Sequence, residues 1–176
     1  KTVEELRTVL DILNITAIPF SSALPLSPLH WIVSDKHESI ILESTANGLQ
    51  IYNNPVNVLT NNPPFPFHLQ NLSNYLNSTA LEPVNRFSST LNLPVYSRGM
   101  GGMGLPGDLS SQSRFARVAF TKVNSLSAED EMSSVSQFFH ILGSVAQQRG
   151  LCDLGDKKYE ITIYTSCYNT RTGVQY

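Results

Sequence analysis

The stretch Leu29-His30-Trp31-Ile32-Val33-Ser34, Asp35-Lys36-His37-Glu38, Ser39-Ile40-Ile41-Leu42-Glu43-Ser44 sets two apolar, β-branched runs on either side of a four-residue polar turn. It reads as an antiparallel hairpin. Asn47-Gly48 follows, a pair that tolerates positive φ in a tight turn. Leu49–Tyr52 then forms a third strand, Asn53-Asn54-Pro55 turns the chain, and Val56–Thr60 is expected as a fourth. Ile40, Ile41 and Leu42 run without polar interruption, which predicts a strand covered on both faces. A meander with such a strand needs helices packed on it, so the expected class is α+β.

Amphipathic segments on both sides supply those helices. Residues 2–13 open with Thr2 and Glu5 in a capping-box pattern and place Val3, Leu6, Val9, Leu10 and Leu13 at helical spacing. Further helices are expected near 67–76, at 110–123 and at 128–147, the last with Met132, Val135, Phe138, Phe139, Leu142 and Val145 on its buried face. The prolines at 19, 25 and 28 make 14–28 a loop, although it carries Ile18, Phe20, Leu24 and Leu26. That apolar load fits either a loop tucked onto the core or a wall facing a substrate. Residues 77–98 show no steady period and read as loop, while 159–168 alternate as a strand would.

With 176 residues, 41% hydrophobic and 15% charged, the chain suits one domain spanning 1–176. A net charge of −2 argues against a nucleic-acid or anionic-membrane surface, and no apolar run approaches the length of a membrane span. The chain opens on Lys1 and closes at Thr172-Gly173-Val174-Gln175-Tyr176, which reads as the start of a strand; it is expected to be a piece of a longer protein.

The chemistry-bearing groups are few. Gly99-Met100-Gly101-Gly102-Met103-Gly104 is followed by Leu105-Pro106 rather than Lys-Ser/Thr, so it reads as a closely packed loop and not a phosphate cradle. His30, His37, His68 and His140 lack metal-ligand spacing, and no metal or cofactor is expected. Nothing local activates Cys152 or Cys167. Two polar spots remain. Asn61 sits in Leu59-Thr60-Asn61-Asn62-Pro63, where its side chain is placed to project from a sheet edge. Arg114 sits in Ser113-Arg114-Phe115-Ala116-Arg117, either as a surface arginine covering apolar area with its stem or as a buried one needing an acceptor.

These same words carry a family likeness. Leu29-His30-Trp31-Ile32-Val33-Ser34-Asp35, Val58-Leu59-Thr60-Asn61-Asn62-Pro63, Gly104-Leu105-Pro106-Gly107-Asp108 with Ser113-Arg114-Phe115-Ala116-Arg117, Gln137-Phe138-Phe139-His140-Ile141-Leu142 and Tyr164-Thr165-Ser166-Cys167 occur in order. The chain resembles, over its whole length, the choloylglycine hydrolases: bile salt hydrolases and penicillin V acylases. It is more similar to the conjugated bile acid hydrolases of gut bacteria.

The resemblance implies an N-terminal nucleophile hydrolase, an αββα sandwich of which these residues are the central and later part. It implies cleavage of the amide of glycine- or taurine-conjugated bile acids by a linear C–N amide hydrolase. The nucleophile would be the thiol of an N-terminal cysteine, its α-amine (pKa about 8) moving the proton. That cysteine is absent here, so the chain alone is expected to be inactive. The family's Leu-Thr-Asn asparagine falls on Asn61 and its Ser-Arg-Phe arginine on Arg114, 53 positions on, both as catalytic residues. By rough position, Phe20, Leu24 and Phe65 are expected at the sterol. Penicillin V acylase and a non-catalytic sterol-binding piece are the alternatives. The family also implies a homotetramer in the cytoplasm.

Overall fold

The computed structural model describes residues 2–23 and 26–176. Its centre is a three-stranded antiparallel sheet in the order β1 (His30–Ser34), β2 (Ser39–Thr45), β3 (Gly48–Asn53). Register runs from His30 opposite Glu43 to Ser34 opposite Ser39, then Ile40 opposite Asn53 to Thr45 opposite Gly48. The first turn is held by Asp35, whose Oδ1 accepts from the backbone N–H of His37 (2.7 Å) and Glu38 (3.0 Å). Gly48 supplies the second, at φ 91°.

As its uninterrupted apolar run predicts, β2 is buried on both faces from Ser39 to Glu43. Side chains alternate along a strand, so the two faces feed two cores. Ile40 and Leu42 pack with Val3 and Leu10; Ile41 packs with Val58, Phe65, Phe115, Val118 and Ala119. The first core is closed by α1 (Val3–Arg7), where Thr2 and Glu5 form the expected capping box. Asp35 Oδ2 accepts from Val3 N–H at 2.8 Å, tying this helix to the β1–β2 turn. The helix is shorter than the periodicity predicts: it ends at Arg7 and resumes as a 3-10 turn over Leu10–Ile12. Val3 and Leu10 are buried, whereas Val9 and Leu13 remain exposed.

The second core is closed by α2 (Phe65–Asn71) and α3 (Ser111–Asn124). Phe65 and Phe115 are fully buried and meet edge-on at 6.0 Å. Truncating either to Ala removes about 3–5 kcal/mol. Asp108 organises the start of α3, its carboxylate accepting from Ser110 N–H (2.9 Å) and Ser113 Oγ (2.6 Å). Arg117 spans from α3 to the carbonyls of Pro106 (2.8 Å) and Ser144 (2.8 Å), the latter just beyond α4 (Glu131–Gly143). On α4, Val135 is buried but Met132 is 65% exposed, so the inward face is narrower than its apolar pattern.

Two strand expectations are corrected. Val56–Thr60 is loop: Asn57 has φ 52°, and Asn54, buried, donates through Nδ2 to the Val58 carbonyl (3.2 Å), which directs that backbone away from a ladder. Residues 160–167 are likewise not a strand, and Ile163 is 83% exposed. Among the described residues, that segment reaches only Gln147, Cys152 and Tyr176 by backbone bonds. Short ladders form around it, β4 (Asp153–Gly155) with β5 (Lys158–Tyr159) and β6 (Tyr168–Asn169) with β7 (Val174–Gln175). The glycine-rich segment is the close-packed loop expected: a methyl at Gly101 would overlap the carbonyl oxygens of Thr79 and Leu81.

Gly101→Ala is accordingly expected to cost about 2 kcal/mol, read from chemical denaturation. A second outcome concerns acid. Hydrogen bonds hold the carboxyls of Asp35 and Asp108 down at about 2, against an ordinary 3.8. Groups depressed in the folded state stabilise it fully above their ordinary pKa, and that contribution fades as the pH falls toward 2. The melting temperature should drop between about pH 4 and pH 2, less steeply in Asp35→Asn.

Candidate active site

The loop from β3 to α2 carries Thr60-Asn61-Asn62-Pro63 over the start of α3, with the Asn62–Pro63 peptide bond cis. Thr60 Oγ1 donates to the Ser111 carbonyl (3.2 Å), and Ser111 Oγ lies 2.9 Å from both Thr60 Oγ1 and the Asn61 carbonyl oxygen. One turn along α3, Arg114 donates from Nε to the Leu109 carbonyl (3.0 Å) and from an Nη to Asn61 Oδ1 (2.8 Å). The two residues singled out in the sequence, 53 positions apart, are therefore in direct hydrogen-bond contact.

The chemistry of that contact fixes the orientation of the amide. A guanidinium only donates, so the atom facing it is the carboxamide oxygen, and Asn61 Nδ2 is left to donate elsewhere. Burial is the main influence lowering the Arg114 pKa, with Arg117 acting in the same direction and Glu160 and Cys152 opposing them. An arginine stays charged through such a shift. The pair presents a fixed positive charge beside an N–H donor, the combination that stabilises a thiolate or an oxyanion.

The other expected residues fare differently. Phe20 is 92% exposed, its ring free of the core. Leu24 lies outside the described residues. Phe65 is corrected: at 0% exposure, wedged between Tyr52 and Phe115, it has no surface to offer a ligand. Its place beside Asn61 in sequence misleads because α2 begins there and turns Phe65 inward.

The loop expected either to tuck onto the core or to face a substrate contributes Ile18 and Leu26 to a groove, whereas the roles of Trp31, His30, Glu43 and Asn62 beside it were missed. This groove of about 490 Å³ is lined by Ile18, Leu26 and Trp31 together with Glu43 and Asn62. At its base His30 Nδ1 lies 2.7 Å from Glu43 Oε1, and His30 Nε2 lies 2.5 Å from Asn62 Oδ1. Glu43 Oε1 also accepts from Phe65 N–H (2.9 Å), at the start of α2. The signal available was a carboxylate two positions from Ile41, on the face that turns inward. No group of three or more His, Cys, Asp or Glu able to hold a metal occurs among the described residues.

Comparison with known proteins bears on this arrangement. The family model described as linear amide C–N hydrolases, choloylglycine hydrolase family, matches residues 1–176. The bile salt hydrolase/transferase of Lactiplantibacillus plantarum is 59% identical over 175 residues, 99% of this chain and 54% of that protein. A crystal structure of a variant conjugated bile acid hydrolase from Clostridium perfringens superposes with TM-score 0.86 at 37% identity, covering 99% of this chain and 54% of the other. Penicillin V acylase from Agrobacterium tumefaciens, at TM-score 0.59 and 20% identity over 91% of this chain and 43% of its own, shares the fold alone. The chain thus spans about half the length of the curated relatives it matches. With its α+β architecture matching this N-terminal nucleophile hydrolase fold, the chain belongs to the choloylglycine hydrolase family of linear amide C–N hydrolases.

Proposed function

We propose that these residues are part of a hydrolase that cleaves the amide bond of glycine- or taurine-conjugated bile acids. The observation that carries the reading is the Arg114–Asn61 hydrogen bond at 2.8 Å, which joins the family's two motif positions across 53 residues. The nucleophile is the thiol of an N-terminal cysteine outside the 176 residues. Cys152 and Cys167 are internal and have no free α-amine to serve as base. The thiolate attacks the amide carbon beside the guanidinium of Arg114. Asn61 Nδ2 donates to the oxygen that gains negative charge, the α-amine passes its proton to the departing glycine or taurine, and water then hydrolyses the thioester to release the bile acid and restore the thiol.

The apolar walls of the groove at Ile18, Leu26 and Trp31 suit a steroid nucleus, and Phe20 adds a free ring at the same loop. Bile conjugates are favoured over penicillin V by the names of the relatives at 59% and 37% identity, against fold likeness alone for the acylase. A homotetramer in the cytoplasm completes the proposal. Exposed apolar side chains at Leu81, Val84, Phe87 and Tyr96 are consistent with further burial on assembly.

The test uses protein expressed from the whole reading frame. Asn61→Ala and Arg114→Ala are each expected to lower kcat/KM on a glycine-conjugated bile acid by about 10²–10³. Their melting temperatures should stay close to the parent's. Full turnover in either variant would overturn the assignment. Binding of conjugate without cleavage by the parent would support the sterol-binding alternative, and faster cleavage of penicillin V would support the acylase. The 176-residue chain by itself should release neither glycine nor taurine.

A further inference from the structure

His68 is a buried titratable group that the reaction above does not use. We propose that it is a positioning residue, whose imidazole holds the Asn61 backbone so that the carboxamide meets Arg114; this rests on the roles just given to that pair.

His68 follows Phe65 by one turn of α2, on the same inward face, and is 1% exposed. It stacks on Phe115 with centroids 4.7 Å apart and planes at 18°, and Phe67 meets it edge-on at 6.0 Å. Such a site would be filled with less desolvation penalty by leucine or phenylalanine. Burial is the main cause lowering the ring's pKa, opposed by the Asn61 and Pro63 backbone contacts and the charge of Glu43, with His30 adding to the lowering. The neutral ring has one N–H. His68 Nε2 lies 2.8 Å from the Asn61 carbonyl oxygen, which can only accept, so the proton is on Nε2. Nδ1 is then a bare acceptor, buried without a partner, as is Oε2 of Glu43.

The imidazole is therefore kept at a cost, with half of its hydrogen-bonding capacity unmet. What it supplies and an apolar side chain cannot is the N–H to Asn61. Ser111 Oγ approaches the same carbonyl from α3 at 2.9 Å, and Arg114, three residues on, takes the side chain. Asn62, next in the chain, faces His30. With its carbonyl gripped from α2 and α3, Asn61 is left little freedom in the direction its amide points. Losing the α2 grip leaves Ser111 Oγ alone on that carbonyl, which loosens the backbone while the arginine stays in place.

The test again uses protein from the whole reading frame, assayed with a glycine-conjugated bile acid. His68→Leu, which keeps bulk and removes the donor, should lower kcat about tenfold or more with KM nearly unchanged. His68→Gln, which retains an N–H donor, should recover most of that loss at a similar melting temperature. In the parent, ¹⁵N shifts of the labelled ring should show the Nε2–H tautomer. A His68→Leu enzyme with parental kcat, alongside an inactive Asn61→Ala, overturns this proposal and leaves the functional reading standing. So does a glutamine variant no better than leucine whose activity falls in step with its melting temperature, or an Nδ1–H tautomer. An Asn61→Ala enzyme with full turnover removes the reading and this inference together.

Discussion

Five consecutive residues of β2, Ser39 to Glu43, are buried, and no other strand in the described structure is covered on both faces. Backbone groups of such a strand need β1 and β3 to pair with, and side chains on each face need a separate apolar layer. One face receives α1; the other receives α2 and α3. Because α2 and α3 share that face through Phe65 and Phe115, the loop entering α2 passes over the start of α3. The contact between Asn61 and Arg114 follows from this crowding. Packing on β2 sets the distance between these two polar side chains.

Polar atoms take part in the same layer. Glu43 is 2% exposed on the face of Ile41, and it is tolerated there because His30 and the Phe65 N–H satisfy one of its oxygens. A buried carboxylate held by hydrogen bonds is weak evidence for stability in itself. Its effect here is local: it joins β1, β2 and the start of α2, and reaches Asn62 beside the proposed reacting centre. His68 extends the arrangement to the Asn61 carbonyl. The loop bearing the candidate site is thus held by specific hydrogen bonds to Glu43, His30 and His68, in addition to apolar contact.

Local patterns were legible where the chain answers to its near neighbours. The capping box at Thr2, the turns at Asp35 and Asn47-Gly48, and the helices around 65–75, 111–124 and 131–143 depend on residues a few positions apart. Errors arose where a local pattern met a non-local competitor. Val56–Thr60 has strand composition, but the buried Asn54 side chain claims the Val58 carbonyl. Residues 159–168 alternate, yet the described chain gives them no continuous edge to pair with. Phe65 lies close to Asn61 along the chain and points away from it, because α2 starts between them and directs the ring into the core.

By itself the sequence determined the α+β class, the two-sided central strand and the identity of Asn61 and Arg114 as the polar residues worth watching, since periodicity and motif words are properties of residue order. Only the tertiary structure decided that those two touch, that the arginine turns the carboxamide so that its N–H groups remain to donate, and that Glu43, His30 and His68 gather beneath them. Contacts across 53 residues depend on how helices stack on a sheet, and that is an outcome of packing in three dimensions that spacing along a chain does not encode.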